Sequence, residues 1–314
     1  MSVVFSFLAA VFPMLVYLYL IWRFDRYERE PTTLVLVNFL WGAVGAIILT
    51  TFLSSLIQLL LLNFILQLSI SDFWDSVLFA PVIEELTKGF FLFIMVKNKK
   101  FDNITDGIVY GGAIGLGFGM TENFFYFITN SSSIYNWFLI VIIRTLFSAV
   151  MHCVTTGILG MILGYSKFKN GFKRTVLVII GFFIAIVIHS LWNLFVSIDS
   201  LALIGFVYML LVVGILIFIF NLSVYKEKQI IFSQLSEESK NGLIPAQHLG
   251  IITSNERHVP GWVDERIRKI YILSAVRLAF RKEQTIHSTG LDKKYHQTDI
   301  ENLRESISNL LEKK

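Results

Sequence analysis

The run Ala80-Pro81-Val82-Ile83-Glu84-Glu85-Leu86-Thr87-Lys88-Gly89-Phe90-Phe91-Leu92-Phe93-Ile94-Met95 sets two glutamates and a lysine inside an apolar segment, 73–97, of membrane-spanning length. A charge at the centre of a bilayer costs about 2.5–3.5 kcal/mol on insertion scales, so three cost about 8–10 kcal/mol. Each surrounding Leu, Phe or Val returns at most about 0.6 kcal/mol. Such a segment is marginal alone and must be held by neighbours that partner its charges. Pro81 has no backbone N–H and bends the helix beside the acids. Glu84 and Lys88 lie one turn apart and can pair, while Glu85 points about 100° away from Glu84.

Outward from this run, the whole chain reads as a membrane protein. Hydrophobic residues make up 55% and charged residues 16%, against about 25% charged in an average soluble domain; mean hydropathy is +0.66. The net charge of +4 is modest and carries no nucleic-acid signature. The single cysteine, Cys153, excludes an intramolecular disulfide and a multi-cysteine metal site. Residues 1–22 lack a basic start and run into Arg23 rather than a small-residue cleavage site, so they read as a retained span.

Seven runs have the roughly 20 apolar residues a spanning helix needs: 2–22, 33–55, 73–97, 107–129, 136–164, 175–197 and 201–222. The apolar stretch 55–70 either extends the second span or lies in the interface. Arg23, Arg26 and Arg29, then Lys97, Lys99 and Lys100, then Lys167, Lys169, Lys173 and Arg174 fall in alternate loops, and loops 56–72, 130–135 and 198–200 hold no Lys or Arg. The positive-inside rule puts the N-terminus outside and the C-terminus in the cytoplasm. Gly107, Gly111, Gly115 and Gly119 stripe one face of the fourth span, a period that lets two helix backbones approach closely. The expected fold is an all-α polytopic transmembrane bundle, residues 1–222, followed by a mostly helical cytosolic region, 223–314, of regulatory or partner-binding character. In that tail, 262–282 is basic and amphipathic, fit to lie on an anionic leaflet or to pack in a small helical domain. A further helix is expected over 298–313. The tail histidines, His248, His258, His287 and His296, lack metal-ligand spacing and read as surface residues.

The spans carry an unusual set of polar groups. Besides Glu84, Glu85 and Lys88, the fourth span has Glu122, the fifth Arg144 and His152, and the sixth His189 with Asn193 one turn on. At 1.5 Å per residue, Glu84 lies roughly 17 Å below the outer end of its span, with Glu122 and His189 roughly 22 and 21 Å above the inner ends of theirs. These depths allow one shared pocket. Three carboxylates against Lys88 and Arg144 leave a net charge of −1 with neutral histidines, which burial disfavours, so one Glu, or a Glu–His pair, is expected to titrate near neutral pH, as a general base should. Peptide hydrolysis needs an activated water, an oxyanion stabiliser and an acid for the leaving amine. Glu84 with His152 could activate water, His189 and Asn193 could stabilise the oxyanion, and Lys88 and Arg144 could hold Glu85 and Glu122.

Four elements, Glu84-Glu85-x-x-Lys88, Phe118-x-x-x-Glu122, His152-x-x-x-x-Gly157 and His189-x-x-x-Asn193, occur in order on successive spans. Together they resemble the PrsW family of membrane proteases, in the clan that includes the CAAX prenyl endopeptidases and bacteriocin-processing relatives. Asp25-Arg26-Tyr27-Glu28-Arg29-Glu30-Pro31 also looks like that family. The likeness covers about residues 1–222. It implies a multi-pass protease of the bacterial cytoplasmic membrane that cuts a single-span, membrane-anchored protein, the best-known role being the first cut of an anti-sigma factor. It also implies a glutamate-activated water without a metal, the first Glu of the pair, Glu84, being the base. The residues themselves leave Glu84 and Glu85 open. They leave three other readings: a zinc protease with Glu84, His152 and His189 as ligands, a proton-coupled transporter, for which no internal repeat is visible, and a non-catalytic scaffold.

Overall fold

The computed structural model describes residues 3–60, 71–130, 133–167, 169–288 and 290–312. Among them every regular element is a helix. The long ones are α1 (Val3–Phe24), α2 (Thr32–Leu60), α3 (72–95), α4 (Ile104–Thr129), α5 (Ile134–Ser166), α6 (Gly171–Val196) and α7 (Ala202–Lys240). Then come α8 (Ala246–Ile252), α9 (Glu265–His287) and α10 (Gly290–Glu312). Of the apolar stretch 55–70, residues 61–70 lie outside the described residues.

The architecture is a polytopic helical membrane bundle. α1, α2, α5, α6 and the helix ending at Lys240 are each long and apolar enough to cross a membrane. α3 and α4, at the other two expected spans, fall short: α3 carries Glu84, Glu85 and Lys88, and glycines dilute α4. α3 turns its polar groups inward, with Glu85, Thr87 and Lys88 buried while Leu86, Phe90 and Ile94 are exposed, and α4 is enclosed by its neighbours. α4 is buried without a break from Thr105 to Gly119, and a side chain that meets protein instead of lipid can find hydrogen-bond partners.

The glycine stripe sets how closely α4 meets α5. A Cβ on Gly115 would stand 2.5 Å from the carbonyl carbon of His152, and one on Gly107 would stand 2.5 Å from that of Gly160. On the opposite face, a Cβ on Gly117 would meet the Phe39 backbone of α2. α4 is therefore clamped backbone to backbone on two sides, and the turn carrying His152 is seated against Gly115.

The chain divides into two compact units: Met1–Asp25 with Glu30–Phe220, and Arg26–Arg29 with Asn221–Lys314. The second has its own core of Ile231, Leu235, Ile252, Tyr271, Val276, Phe280, Ile300 and Ile307, against which Tyr27 packs. Buried Glu238 accepts from Lys282 Nζ at 2.6 Å and Arg304 Nη2 at 2.7 Å. These charge-assisted bonds outweigh the cost of burial and hold its carboxyl below the usual range. His248 and His296 are buried, His248 with its Nδ1 3.1 Å from the Tyr271 hydroxyl, so the surface reading of those two is corrected. His258 is exposed, and the His287 side chain lies outside the described residues. The reason for the correction is that the tail forms a packed core, which the amphipathic pattern alone did not specify.

Candidate active site

The site is assembled by four helices of the first unit. Successive turns of α3 deliver Glu84, Glu85 and Lys88, α4 delivers Phe118, Glu122 and Asn123, α5 delivers Arg144, His152 and Thr155, and α6 delivers His189 and Asn193. Every candidate residue reaches this one neighbourhood.

Glu85 and Lys88 lie at its centre, both fully buried. Lys88 Nζ is 2.6 Å from Glu85 Oε1 and 3.9 Å from Glu84 Oε2. The tight ion pair is thus with Glu85, not the Glu84 partner expected from the one-turn spacing. The cause is on the other helices: Glu85 Oε1 also faces His189 Nδ1 at 2.9 Å and accepts from Thr155 Oγ1 at 3.0 Å. Three donors converge on one oxygen and draw Lys88 with it. Lys88 Nζ also lies 3.0 Å from His152 Nδ1 and 4.7 Å from the centre of the Phe118 ring.

Each imidazole is fixed by a carboxylate. His152 Nε2 is 2.7 Å from Glu122 Oε2, and Arg144 Nη2 meets the same oxygen at 2.7 Å. Arg144 Nε donates to Asn123 Oδ1 at 3.0 Å and the guanidinium lies 3.5 Å from the centre of the Tyr126 ring. His189 is fixed through Nδ1 by Glu85. The tautomers follow: with His152 Nε2 donating to Glu122, Nδ1 accepts from Lys88; with His189 Nδ1 donating to Glu85, Nε2 is left as a lone pair. That lone pair faces Glu84 Oε2 at 3.8 Å, while His152 Nδ1 stands 4.0 Å from the same oxygen. Glu84 Oε2 is buried and has no hydrogen-bond partner among the described residues. Two hydrogen bonds of about 2.8 Å meeting at a bend span such a separation.

Two widened, π-type turns shape the surroundings. One, Asp75–Phe79, precedes Pro81: the Ala80 N–H bonds Asp75 O, and Pro81 has no N–H to offer the next carbonyl. That carbonyl, Ser76 O, accepts instead from Asn193 Nδ2 at 2.8 Å. The other, Arg144–Ser148, lies just before His152 on α5. Beside the imidazoles is a cavity of about 120 Å³ lined by Ser76, Glu122, Tyr126, Arg144, His152, His189, Trp192 and Asn193, with Ser197 at its rim. Glu84 and Glu85 do not line it and meet it through the imidazoles.

A profile described as "PrsW family intramembrane metalloprotease" matches residues 30–220. The chain belongs to the PrsW family. Three relatives called Protease PrsW match it: from Oceanobacillus iheyensis at 29% identity over 59% of this chain and 80% of theirs, from Clostridioides difficile at 28% over 62% and 79%, and from Bacillus subtilis at 26% over 54% and 72%. No solved structure gives a significant match. As a PrsW-family member this chain is a multi-pass membrane protease, and the matched region contains all four motifs.

Some polar partners were not read from the sequence. Thr155 lies three residues after His152, on nearly the same face, a spacing that could have drawn notice. Tyr126 and Asn123 flank Glu122 and carry no such signal. Ser76 contributes only its carbonyl, which no residue type announces. A second carboxyl group cluster, Asp25, Glu30 and Asp106, is also buried, with oxygens within 4.8 Å of one another. There Asp106 Oδ2 accepts the Asp102 and Asn103 N–H groups at 2.7 and 3.0 Å in a capping box, and the Tyr110 hydroxyl donates to Glu30. Burial, then the negative charge of Asp106, pushes the Glu30 carboxyl up to about 12.

Proposed function

We propose that this chain is an intramembrane endopeptidase that hydrolyses a peptide bond of a single-span membrane protein with a water activated by Glu84 and His189. The observation that carries it is the pair of bare acceptors, Glu84 Oε2 and His189 Nε2, 3.8 Å apart beside a cavity. A water between them loses one proton to Glu84 as its oxygen bonds the carbonyl carbon; the O–H left on the tetrahedral intermediate donates to His189 Nε2 and passes its proton there as the product carboxylate forms, and Glu84 returns its proton to solvent after the cut. His189 then holds a proton on Nε2 to give to the leaving amine. Glu85, pinned by Lys88, Thr155 and His189 itself, keeps His189 in the required tautomer, as a carboxylate does for a catalytic histidine. Glu85 also keeps one unpartnered oxygen, Oε2, and we assign Glu84 as the base because Glu84 Oε2 is the oxygen that lies 3.8 Å from His189 Nε2. Asn193 Nδ2 has a second N–H beyond the one on Ser76 O, and it and the Arg144 guanidinium are the donors for the oxyanion. His152, between Lys88 and Glu122, holds the far wall. In its resting tautomer His189 accepts, so its share in the oxyanion begins after it is protonated.

The orientation with the N-terminus outside and the tail in the cytoplasm puts Ser76, Tyr126 and Ser197 near the outer ends of their helices. A cut near the extracytoplasmic face of a bacterial cytoplasmic membrane agrees with that, and an anti-sigma factor or another membrane-anchored regulator is the matching substrate class. In the test, a single-span reporter is co-expressed with the chain and its fragments are mapped by mass spectrometry. Cleavage that His189→Ala and Asn193→Ala both remove supports the reading; an uncut reporter panel, or cleavage that persists in both variants, rejects it.

A zinc reading is favoured by one arrangement. Glu84, His152 and His189 offer ligand atoms within 4.8 Å of one another, and each imidazole places its other nitrogen on a carboxylate, as metal-ligating histidines do. The orphaned Glu84 Oε2 fits a ligand role, and the family profile's description names a metalloprotease. In that reading these three residues hold the ion, which when bound would supply a Lewis acid for the carbonyl. Lys88 argues against it, because its ammonium occupies the His152 Nδ1 lone pair and sets a positive charge where a dication would go. We therefore favour the metal-free form. Metal analysis of the purified chain, with chelation and zinc return, separates the two.

A further inference from the structure

The second unit presents one helix row that its own core does not use. On α9, Arg266, Ile270, Leu273 and Arg277 fall at i, i+4, i+7 and i+11, within one narrow arc, and Lys269 borders it. Ile270 is 54% and Leu273 37% exposed, with Val259 at 55% just before the helix. The same helix buries Tyr271, Ala275, Val276, Leu278 and Ala279 completely on its other side. The apolar members of the row are thus surplus to folding. The charges around them are biased: Asp264 and Glu265 are taken up by Arg266 at 2.5 Å and Arg268 at 3.0 Å. Lys269 has no ion partner among the described residues, and the row is left net positive.

The row ends at the loop between α1 and α2. Arg277 Nε is 3.1 Å from Glu28 Oε1, and the same loop is fixed by Tyr27 Oη donating to Thr253 O at 3.0 Å and Arg257 Nη2 donating to Arg26 O at 2.9 Å. Glu28 stands four residues from Phe24, the end of α1, and four from Thr32, the start of α2. A chain reaches at most about 3.6 Å per residue, so Glu28 stays within about 14 Å of both helix ends in any arrangement of the units. Arg277, the C-terminal end of the row, is therefore tied to a loop residue that the chain keeps one short tether from the ends of α1 and α2.

We propose that the α9 row of Arg266, Lys269, Ile270 and Leu273, with Val259, docks on the anionic lipid surface of the same membrane. The apolar members enter the headgroup boundary, and Arg266 and Lys269 reach lipid phosphates with their stems along the apolar surface. Lys269 is the one unpaired base, and Arg266 exchanges Asp264 for phosphate; so few suffice because the tether keeps the surface near, at high effective concentration.

The test uses the full chain in nanodiscs of phosphatidylcholine with and without phosphatidylglycerol. A fluorophore is placed at Leu273→Cys and, as a control, at exposed Asp292→Cys on α10; Cys153 is buried and does not compete for label. Quenching by headgroup-region nitroxide lipid is expected to be several-fold stronger at 273 than at 292 in phosphatidylglycerol discs. It should fall toward the control in plain phosphatidylcholine or when Arg266→Glu and Lys269→Glu are added. Equal quenching at both sites overturns the proposal. So does quenching at 273 that ignores both the anionic lipid and the charge reversals. A label shielded from aqueous iodide but not reached by the lipid quencher also overturns it, because a protein then covers the row.

Discussion

Gly115→Ala tests whether helix packing positions His152, the positioning histidine of the site's far wall. An added Cβ would stand 2.5 Å from the His152 carbonyl carbon. Ordinary carbon contacts begin near 3.5 Å, so α4 and α5 must part by about 1 Å at that turn. Overpacking of this kind costs about 1–3 kcal/mol of stability. The same turn holds His152, whose ring nitrogens contact Glu122 and Lys88 at 2.7 and 3.0 Å. A 1 Å displacement of such a group can cost on the order of 100-fold in rate. Gly107→Ala is the matched control: its Cβ would also stand 2.5 Å from a carbonyl carbon, that of Gly160, two turns further along the α4–α5 seam. Reporter cleavage and thermal unfolding in detergent are measured for both. Similar losses of stability are expected, with the large rate loss confined to Gly115→Ala. If Gly115→Ala cuts at the wild-type rate, or if both variants lose activity equally in step with stability, the seam does not position His152 as described.

Three other outcomes follow from the geometry. Thr155→Val removes a hydrogen bond to the ionised Glu85, an interaction of about 1.5–3 kcal/mol; kcat should fall about tenfold or more with little change in KM, and Thr155→Ser should restore it. Glu30→Gln should be tolerated, because Glu30 is protonated in the folded protein. Its folded pKa is raised from 4.5 to about 12, so its stabilising contribution is complete below 4.5 and is lost as pH rises toward 12. The Tm of Glu30→Gln relative to the wild type should therefore climb between pH 5 and 9; a flat difference refutes this. Cleavage should vary with pH between 5 and 8, since gain or loss of one proton changes the charge of the whole Glu84, Glu85, Glu122, His152 and His189 cluster; a flat profile counts against acid–base work there.

The four motifs and the helical class were legible because each depends on spacing within one helix. Glu84-Glu85-x-x-Lys88 and His189-x-x-x-Asn193 name a face wherever the helix packs, and the hydropathy of the spans names their environment. What spacing cannot supply is the rotation of one helix against another. That rotation turned Lys88 from Glu84 to Glu85, because His189 and Thr155 arrived on the Glu85 side. It also brought Asp25 and Glu30 to Asp106, about 80 residues away in the chain. The Asn193–Ser76 bond was beyond reach for another reason: it depends on a carbonyl left open by a widened turn and by the missing N–H of Pro81. In the tail, amphipathic patterning marked helices but did not show which histidines the core would enclose, and His248 and His296 went inside.

Glu84→Gln tests the central claim most directly. The substitution keeps size and shape and removes the charge and the capacity to take a proton, at an oxygen that no described group hydrogen-bonds and that Lys88 Nζ faces only at 3.9 Å. The purified variant should unfold at the wild-type temperature and cut the single-span reporter at least about 100–10,000-fold more slowly, the range a positioned general base supplies. Cleavage within tenfold of the wild-type rate, with the fold intact, would contradict the account.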